Sequence, residues 1–214
     1  MTDMTSNAKP DGNGSNPWIR TADGGKFYYL NMDGTQYNID VAAAALSRLC
    51  RYAGHLSDEW EDDIYSVAQH SVYVYRLLKK VKADPAAYPW ALAHDVPEAY
   101  FVDLPSPLKG IIPQYTNLED ASAAAFRKSF GIPHNDKIER WVKWADYQLY
   151  FAERRVLTEI PGDEMGLSPR PSFTLQEIDP QFYLWRPKYA RYQFKMAYLE
   201  AMKLYQEDRY ANAS

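Results

Sequence analysis

His70, His94, Asp95 and Asp146 are the residues of this chain whose types and setting point most directly to chemistry. They stand in the runs AQHS, AHDVPEAY and KWAD. Two imidazoles and two carboxylates make a complete inner shell for a divalent cation, and zinc, cobalt, manganese, ferrous iron and magnesium all suit such donors. Adjacent residues on a helix do not share a face, so His94 and Asp95 can reach one ion only where their helix ends or bends. Pro97, two residues on, supplies that break. A single histidine on an apolar helix is ordinarily a hydrogen-bonded core residue, and it is the His94–Asp95 doublet that turns His70 toward a metal. Asp146 falls four residues after Val142 and three before Leu149, close to the buried face of its helix. A carboxylate there needs a cation beside it, either a basic side chain or a metal. The two histidines favour the metal.

Other groups could serve such a centre. Glu98, three residues after Asp95, reads either as a surface glutamate or as a carboxylate that takes a proton from an activated water. Asp103, in VDLPSP, is equally well a turn residue. Lys143 shares a helix face with Asp146 and so brings a cation near it. There is no P-loop and no GxGxxG run, so phosphate would be bound by a metal and individual side chains. Covalent catalysis finds no support: Cys50 has no activating base beside it and GxSxG is absent.

These side chains must be positioned by helices. Residues 1–17, rich in Asn, Gly, Ser, Asp and Pro, read as a disordered tail, and 18–214 as a single domain. Trp18–Thr21 and Lys26–Leu30 flank an Ala-Asp-Gly-Gly turn and predict a small hairpin. Asp40 is placed to cap a helix through VAAAALSRLCRY, with Gly54 past its end and Cys50 as a small core residue. SDEWEDD reads as an exposed loop. Ser66 caps a helix carrying His70, with Val67, Val74, Leu78 and Val81 at helical spacing. Pro85 opens a third helix ending at His94–Asp95. Pro105, Pro107 and Pro113 predict a loop around Lys109. Asn117 caps a further helix closed by Gly131, and Asn135 caps a long one through Ile160 with Ile138, Val142, Ala145, Leu149, Ala152 and Val156 on its buried face. The turn-rich stretch from Pro161 to Pro187 reads as an irregular connection before an amphipathic helix over Tyr189–Tyr205. The fold class is all-α, a helical bundle with a small N-terminal β-hairpin.

Composition bounds the function. The chain has 214 residues, 46% hydrophobic and 24% charged, with a net charge of −4. No basic field draws it onto nucleic acid, so a free nucleotide is the more natural phosphate ligand. One cysteine permits no internal disulfide, and a cytoplasmic location is expected. Neither a membrane span nor a signal peptide is expected. The aromatic and aliphatic side chains of the last helix (Tyr189, Tyr192, Phe194, Tyr198, Leu199 and Tyr205) leave much surface to bury, consistent with self-association.

The order His, His-Asp, Asp resembles the HD-domain metal-dependent phosphohydrolases. The likeness extends through HDVPEAYFVDLPSPLKG (94–110), SRLCRY (47–52) and KWAD (143–146), and is strongest to the 5′-deoxynucleotidase branch and to phage-encoded dATP triphosphohydrolases. It implies an HD-domain helical bundle in which His70, His94, Asp95 and Asp146 hold one or more divalent metal ions. Glu98 and Asp103 are then catalytic. Arg51, Tyr52, Lys109 and Lys143 bind the nucleotide, with the aromatic packed where a 2′-hydroxyl would sit. The branch carries Trp at that position and this chain Tyr52; His55 lines the base pocket or is exposed. The implied activity is hydrolysis of deoxynucleoside triphosphates, dATP foremost, to deoxynucleoside and triphosphate. The alternatives are a 5′-deoxynucleotidase acting on dNMP and an inactive nucleotide-binding domain. Family members assemble as dimers or larger rings, which implies a homo-oligomer, dimer or hexamer.

Overall fold

The computed structural model describes residues 16–60, 63–158 and 172–213. At its N-terminal end, strands β1 (Trp18–Arg20) and β2 (Lys26–Tyr28) pair antiparallel, Trp18 opposite Tyr28 and Arg20 opposite Lys26. Asp23 shapes the turn by accepting from the Thr21 hydroxyl and the Gly25 amide, and Gly24 takes the left-handed φ of 86° that glycine tolerates best. Phe27 is fully buried and stacks on Tyr100 at 4.2 Å, which fastens the hairpin to the helical body. Of the expected disordered tail over 1–17, residues 1–15 lie outside the described residues, while Asn16 and Pro17 are ordered, accepting from the Leu30 and Tyr29 amides.

Helix α1 (Ile39–Leu46) starts two residues earlier than expected and stops well short of Tyr52. Its cap is Asn38, whose side chain accepts from the Asp40 amide; Asp40 itself sits in the first turn and pairs with Lys195. The early end has a non-local cause. The Arg51 amide donates to the Tyr65 carbonyl and the Val67 amide to the Leu49 carbonyl, so Cys50 bridges Ser66 in extended conformation. Cys50 is therefore a half-buried strand-like residue, not a helical core residue. The chain then turns through three consecutive left-handed residues, Tyr52 (φ 58°), Ala53 (φ 51°) and Gly54 (φ 81°). Two non-glycine residues there carry real strain, of the kind that persists where surrounding contacts hold it.

Ser66 caps α2 (Val67–Lys80) by accepting from the Gln69 amide. This helix is buried along most of its length and packs on α3 (Tyr88–Ala93), α7 (Asp136–Leu157) and α9 (Pro187–Ala213). A 3-10 turn over Pro85–Ala87 leads into α3, all six of whose residues are buried. α3 ends at His94, and the turn through Pro97 leads into α4 (Glu98–Phe101). Around Lys109 the prolines do not leave an open loop: Ser106–Lys109 forms a short helix, α5, with Pro107 near its start, where a missing amide costs nothing. α6 (Pro113–Phe130) begins before Asn117, because Pro113 occupies its N-terminal turn, and closes at Gly131 (φ 62°).

Asn135 caps α7 by accepting from the Lys137 and Ile138 amides. α7 runs to Leu157; Ile160 and the first part of the expected irregular connection, 159–171, lie outside the described residues. The remainder of that connection contains α8 (Leu175–Ile178), built by a capping box between Thr174 and Glu177. α9 is longer than the predicted Tyr189–Tyr205. Its inner face buries Ala190, Phe194, Ala197, Tyr198 and Ala201 against α1, α2 and α3, while Tyr192, Met196 and Leu199 lie exposed on the other side. One apolar core runs from Phe27 in the hairpin to Ala201 in α9. No helix among the described residues is long and apolar enough to cross a membrane.

Candidate metal centre

Three helices bring His70, His94 and Asp146 together. His70 lies in the first turns of α2, His94 at the end of α3 and Asp146 midway along α7. One donor atom from each lies within 4.8 Å of the other two. His70 is fully buried, and its ring centroid is 5.6 Å from that of His94. Both imidazoles are held by their Nδ1 atoms. His94 Nδ1 lies 2.9 Å from the Ala91 carbonyl and His70 Nδ1 2.7 Å from Glu153 Oε1. A neutral imidazole held in this way donates through Nδ1 and keeps its Nε2 lone pair for a cation.

The donors fit a cation better than they fit each other. His70 Nε2 is 2.9 Å from Asp146 Oδ1 and His94 Nε2 is 3.3 Å from Asp95 Oδ2, yet both nitrogens are buried without a hydrogen bond of good geometry. Two such imidazole nitrogens beside a carboxylate could hold a divalent metal ion. Asp95 stands at its edge: the same Oδ2 is 3.8 Å from His70 Nε2 and 3.3 Å from Arg51 Nη1. The turn before Pro97 thus lets both members of the doublet face the centre.

Behind His70 lies a carboxylate that the sequence reading missed. Glu153 is fully buried. Its Oε1 accepts from His70 Nδ1 and from the Tyr65 hydroxyl (2.6 Å), and its Oε2 accepts from the Tyr52 hydroxyl (2.8 Å) with Arg51 Nε 3.5 Å away. Burial opposes its ionisation, but His70 and Arg51 outweigh that and hold its carboxyl below the ordinary value. In return, although burial and Arg51 oppose a charge on His70, Glu153 and Asp146 push it up to about 9. The available signal was spacing: Glu153 falls seven residues after Asp146 and four after Leu149, on the inward face of α7.

Tyr52 is thereby tied down. Its hydroxyl is committed to Glu153, and its ring lies 5.6 Å from the Arg51 guanidinium. The left-handed turn that follows carries His55 out to an exposed position.

On the other side of the doublet, Glu98 is buried and its Oε2 has no hydrogen-bond partner. Burial, with Asp95 and Asp103 nearby, pushes Glu98 well above the usual carboxylate range. Lys109 reaches its Oε1 at 3.3 Å and Glu119 at 3.0 Å. Asp103 is half-buried just beyond α4, near enough for its charge to act on Glu98 and on Cys50. Lys143 is mostly exposed and lies 3.4 Å from Glu139. A cavity of about 540 Å³ opens from His94, Asp95 and Asp146, and Glu98, Lys109 and Lys143 contribute to its wall. That size is within the range of small-molecule sites. The cavity can hold a cation at one end and an anionic ligand over it.

The chain matches no family model. It is 36% identical over 159 residues to YfdR, an uncharacterized protein of Escherichia coli; the alignment covers 69% of this chain and 83% of YfdR. It is also 32% identical over 136 residues to an uncharacterized protein of Rhodobacter capsulatus, covering 60% of this chain and 67% of the relative. Identity at that level over most of a relative's length places the chain: it belongs to the family that includes YfdR.

Proposed function

We propose that this protein is an HD-domain metal-dependent phosphohydrolase that cleaves free deoxynucleoside triphosphates, dATP foremost, to deoxynucleoside and triphosphate. The observation that carries the proposal is the meeting of two orphaned imidazole nitrogens and a carboxylate at one end of a nucleotide-sized cavity with lysines on its wall. His70, His94, Asp95 and Asp146 would hold the ion. A bound divalent metal supplies a Lewis acid beside the phosphoryl group and lowers the pKa of water there.

The remaining work falls to this chain's own side chains. Glu153 keeps His70 in the tautomer that presents Nε2. Glu98, buried and with a free Oε2, is placed to exchange a proton with the attacking water. Asp103 assists on the phosphate side. Lys109, Lys143 and Arg51 offset charge developing on phosphate oxygens, with Arg51 fixed by Asp95 and Glu153. Tyr52, pinned through its hydroxyl, gives the sugar a fixed wall.

The setting follows from the substrate: a cytoplasmic enzyme that controls a nucleotide pool, in a cell or in a phage-infected host. Self-association belongs to the same reading, through the face of α9 that exposes Tyr192, Met196 and Leu199. The test is incubation of purified protein with dATP, dGTP, dAMP and ATP plus cobalt or manganese, with products separated by anion exchange. Deoxyadenosine with intact triphosphate is expected from dATP. Turnover of dAMP alone would move the activity to a 5′-deoxynucleotidase, and no turnover of any would leave a binding domain.

A further inference from the structure

The cavity does not end at the residues assigned above. Beyond Asp146 it continues to a wall made by α3, α6, α7 and the segment between α6 and α7, carrying Trp90, Arg127, His134 and Glu139. Glu139 organises this wall. Its Oε2 accepts from Trp90 Nε1 (2.9 Å) and lies 3.1 Å from His134 Nε2, and its Oε1 lies 3.4 Å from Lys143 Nζ. The Arg127 guanidinium lies over the Trp90 ring, 4.5 Å from its centroid. Among the described residues no carboxylate comes within ion-pair distance of Arg127, although every other cation named on the cavity wall has one. Partial burial disfavours its charge and Glu139 and Asp120 favour it from beyond pairing distance, so an anion reaching the guanidinium would add the direct hydrogen bonds that neither carboxylate makes.

The distribution of charge along the cavity fixes what that anion is. Asp95 and Asp146 face the cation end. Glu98 and Glu119 share Lys109, and Glu139 is taken up by Trp90, His134 and Lys143. Arg127, on which Glu139 and Asp120 act only from beyond pairing distance, is the cavity-wall cation among the described residues that no carboxylate pairs directly, and it stands toward the end away from the candidate metal ligands. Its planar fork, lying over an indole ring, suits bidentate contact with phosphate oxygens.

We infer that Arg127, braced on Trp90 and flanked by Lys143, forms a second anion subsite that takes the phosphates lying beyond the one at the metal, and so makes the protein select nucleotides with a polyphosphate tail over monophosphates. The inference rests on the proposed phosphohydrolase function. Because the subsite needs no base or sugar, inorganic probes test it. Binding of tripolyphosphate and of orthophosphate to the manganese-loaded protein is measured by calorimetry, for the native chain and for Arg127→Gln and Arg127→Lys. The native chain is expected to prefer tripolyphosphate. Arg127→Gln should cut the ratio of the two affinities tenfold or more, the worth of one hydrogen bond between charged groups, with Arg127→Lys between them. Manganese affinity and the melting temperature of each variant show whether the centre and the fold are intact. A native chain that binds manganese but prefers neither anion, or an unchanged ratio in a folded Arg127→Gln, overturns the subsite and leaves the phosphohydrolase reading standing. A native chain that binds no manganese overturns both.

Discussion

Replacing Glu153 is the sharpest perturbation of the buried frame. This carboxylate is fully buried and accepts from His70, Tyr65 and Tyr52, with Arg51 beside it. Glu153→Ala strands two basic groups and two hydroxyls in the interior. Removing one partner of a buried ion pair costs about 3–5 kcal/mol. For a chain of this size each kcal/mol lowers Tm by roughly 2–4 °C, so a drop of about 6–20 °C is expected. Glu153→Gln is the gentler variant. With its amide oxygen at the Oε1 position it still accepts from His70 and Tyr65, and the Tyr52 hydroxyl can turn to accept from its NH₂. What it loses is the negative charge facing Arg51 and His70, so its Tm should fall between the native and alanine values. Because Glu153 orients a candidate metal ligand, cobalt or manganese affinity should fall about 10–100-fold in Glu153→Ala. Thermal denaturation and metal titration by calorimetry check both numbers. A Glu153→Ala protein that melts within about 2 °C of native and binds metal with unchanged affinity would refute the reasoning, since no buried hub could be removed so cheaply.

Further predictions concern pH, caps and assembly. His70 is raised to about 9 in the folded metal-free chain against about 6.5 when unfolded, so its contribution is complete below pH 6.5 and is lost as pH rises through 9. Metal-free protein should therefore lose up to roughly 3 kcal/mol between those limits, while metal affinity rises by about tenfold per pH unit as one proton is displaced; denaturant melts and titrations at stepped pH check both trends. Glu153 and Asp146, held below the ordinary carboxylate range, give the acid edge, with stability lost as pH falls through that range. Asn135→Ala removes the α7 cap and should cost about 1 kcal/mol in urea denaturation with metal affinity unchanged, because the centre lies more than two turns further along the helix. Leu199→Lys on the exposed face of α9 should shift any oligomer toward monomer in light scattering, without lowering Tm by more than a degree or two.

Much of this architecture could be read from local pattern, and the misses share a cause. His70 sits on a helix whose Ser66 cap and apolar spacing are evident in the sequence, Asp146 on one whose Asn135 cap is equally plain, and Pro97 marks the turn that presents His94 and Asp95. Glu153 was hidden because a glutamate in a 3.6-residue pattern reads as surface; its partners lie 83 to 101 residues away. The early end of α1 is also non-local, set by pairing of residues 49–51 with 65–67. α8 is different: the Thr174–Glu177 capping box is a local signature, masked by the prolines around it. The cationic end of the cavity joins α3, α6 and α7, and no spacing within one helix foretells that Arg127 meets Trp90.

The measurement that bears most directly on the central claim is a cobalt titration followed in two signals at once, the visible absorption of bound Co²⁺ and the rate of dATP hydrolysis. Absorption and turnover are expected to rise together and to vanish together in His94→Ala and in Asp146→Ala. Cobalt bound at these residues with no hydrolysis, or hydrolysis that persists in folded variants lacking them, would contradict a hydrolytic metal centre built from His70, His94, Asp95 and Asp146.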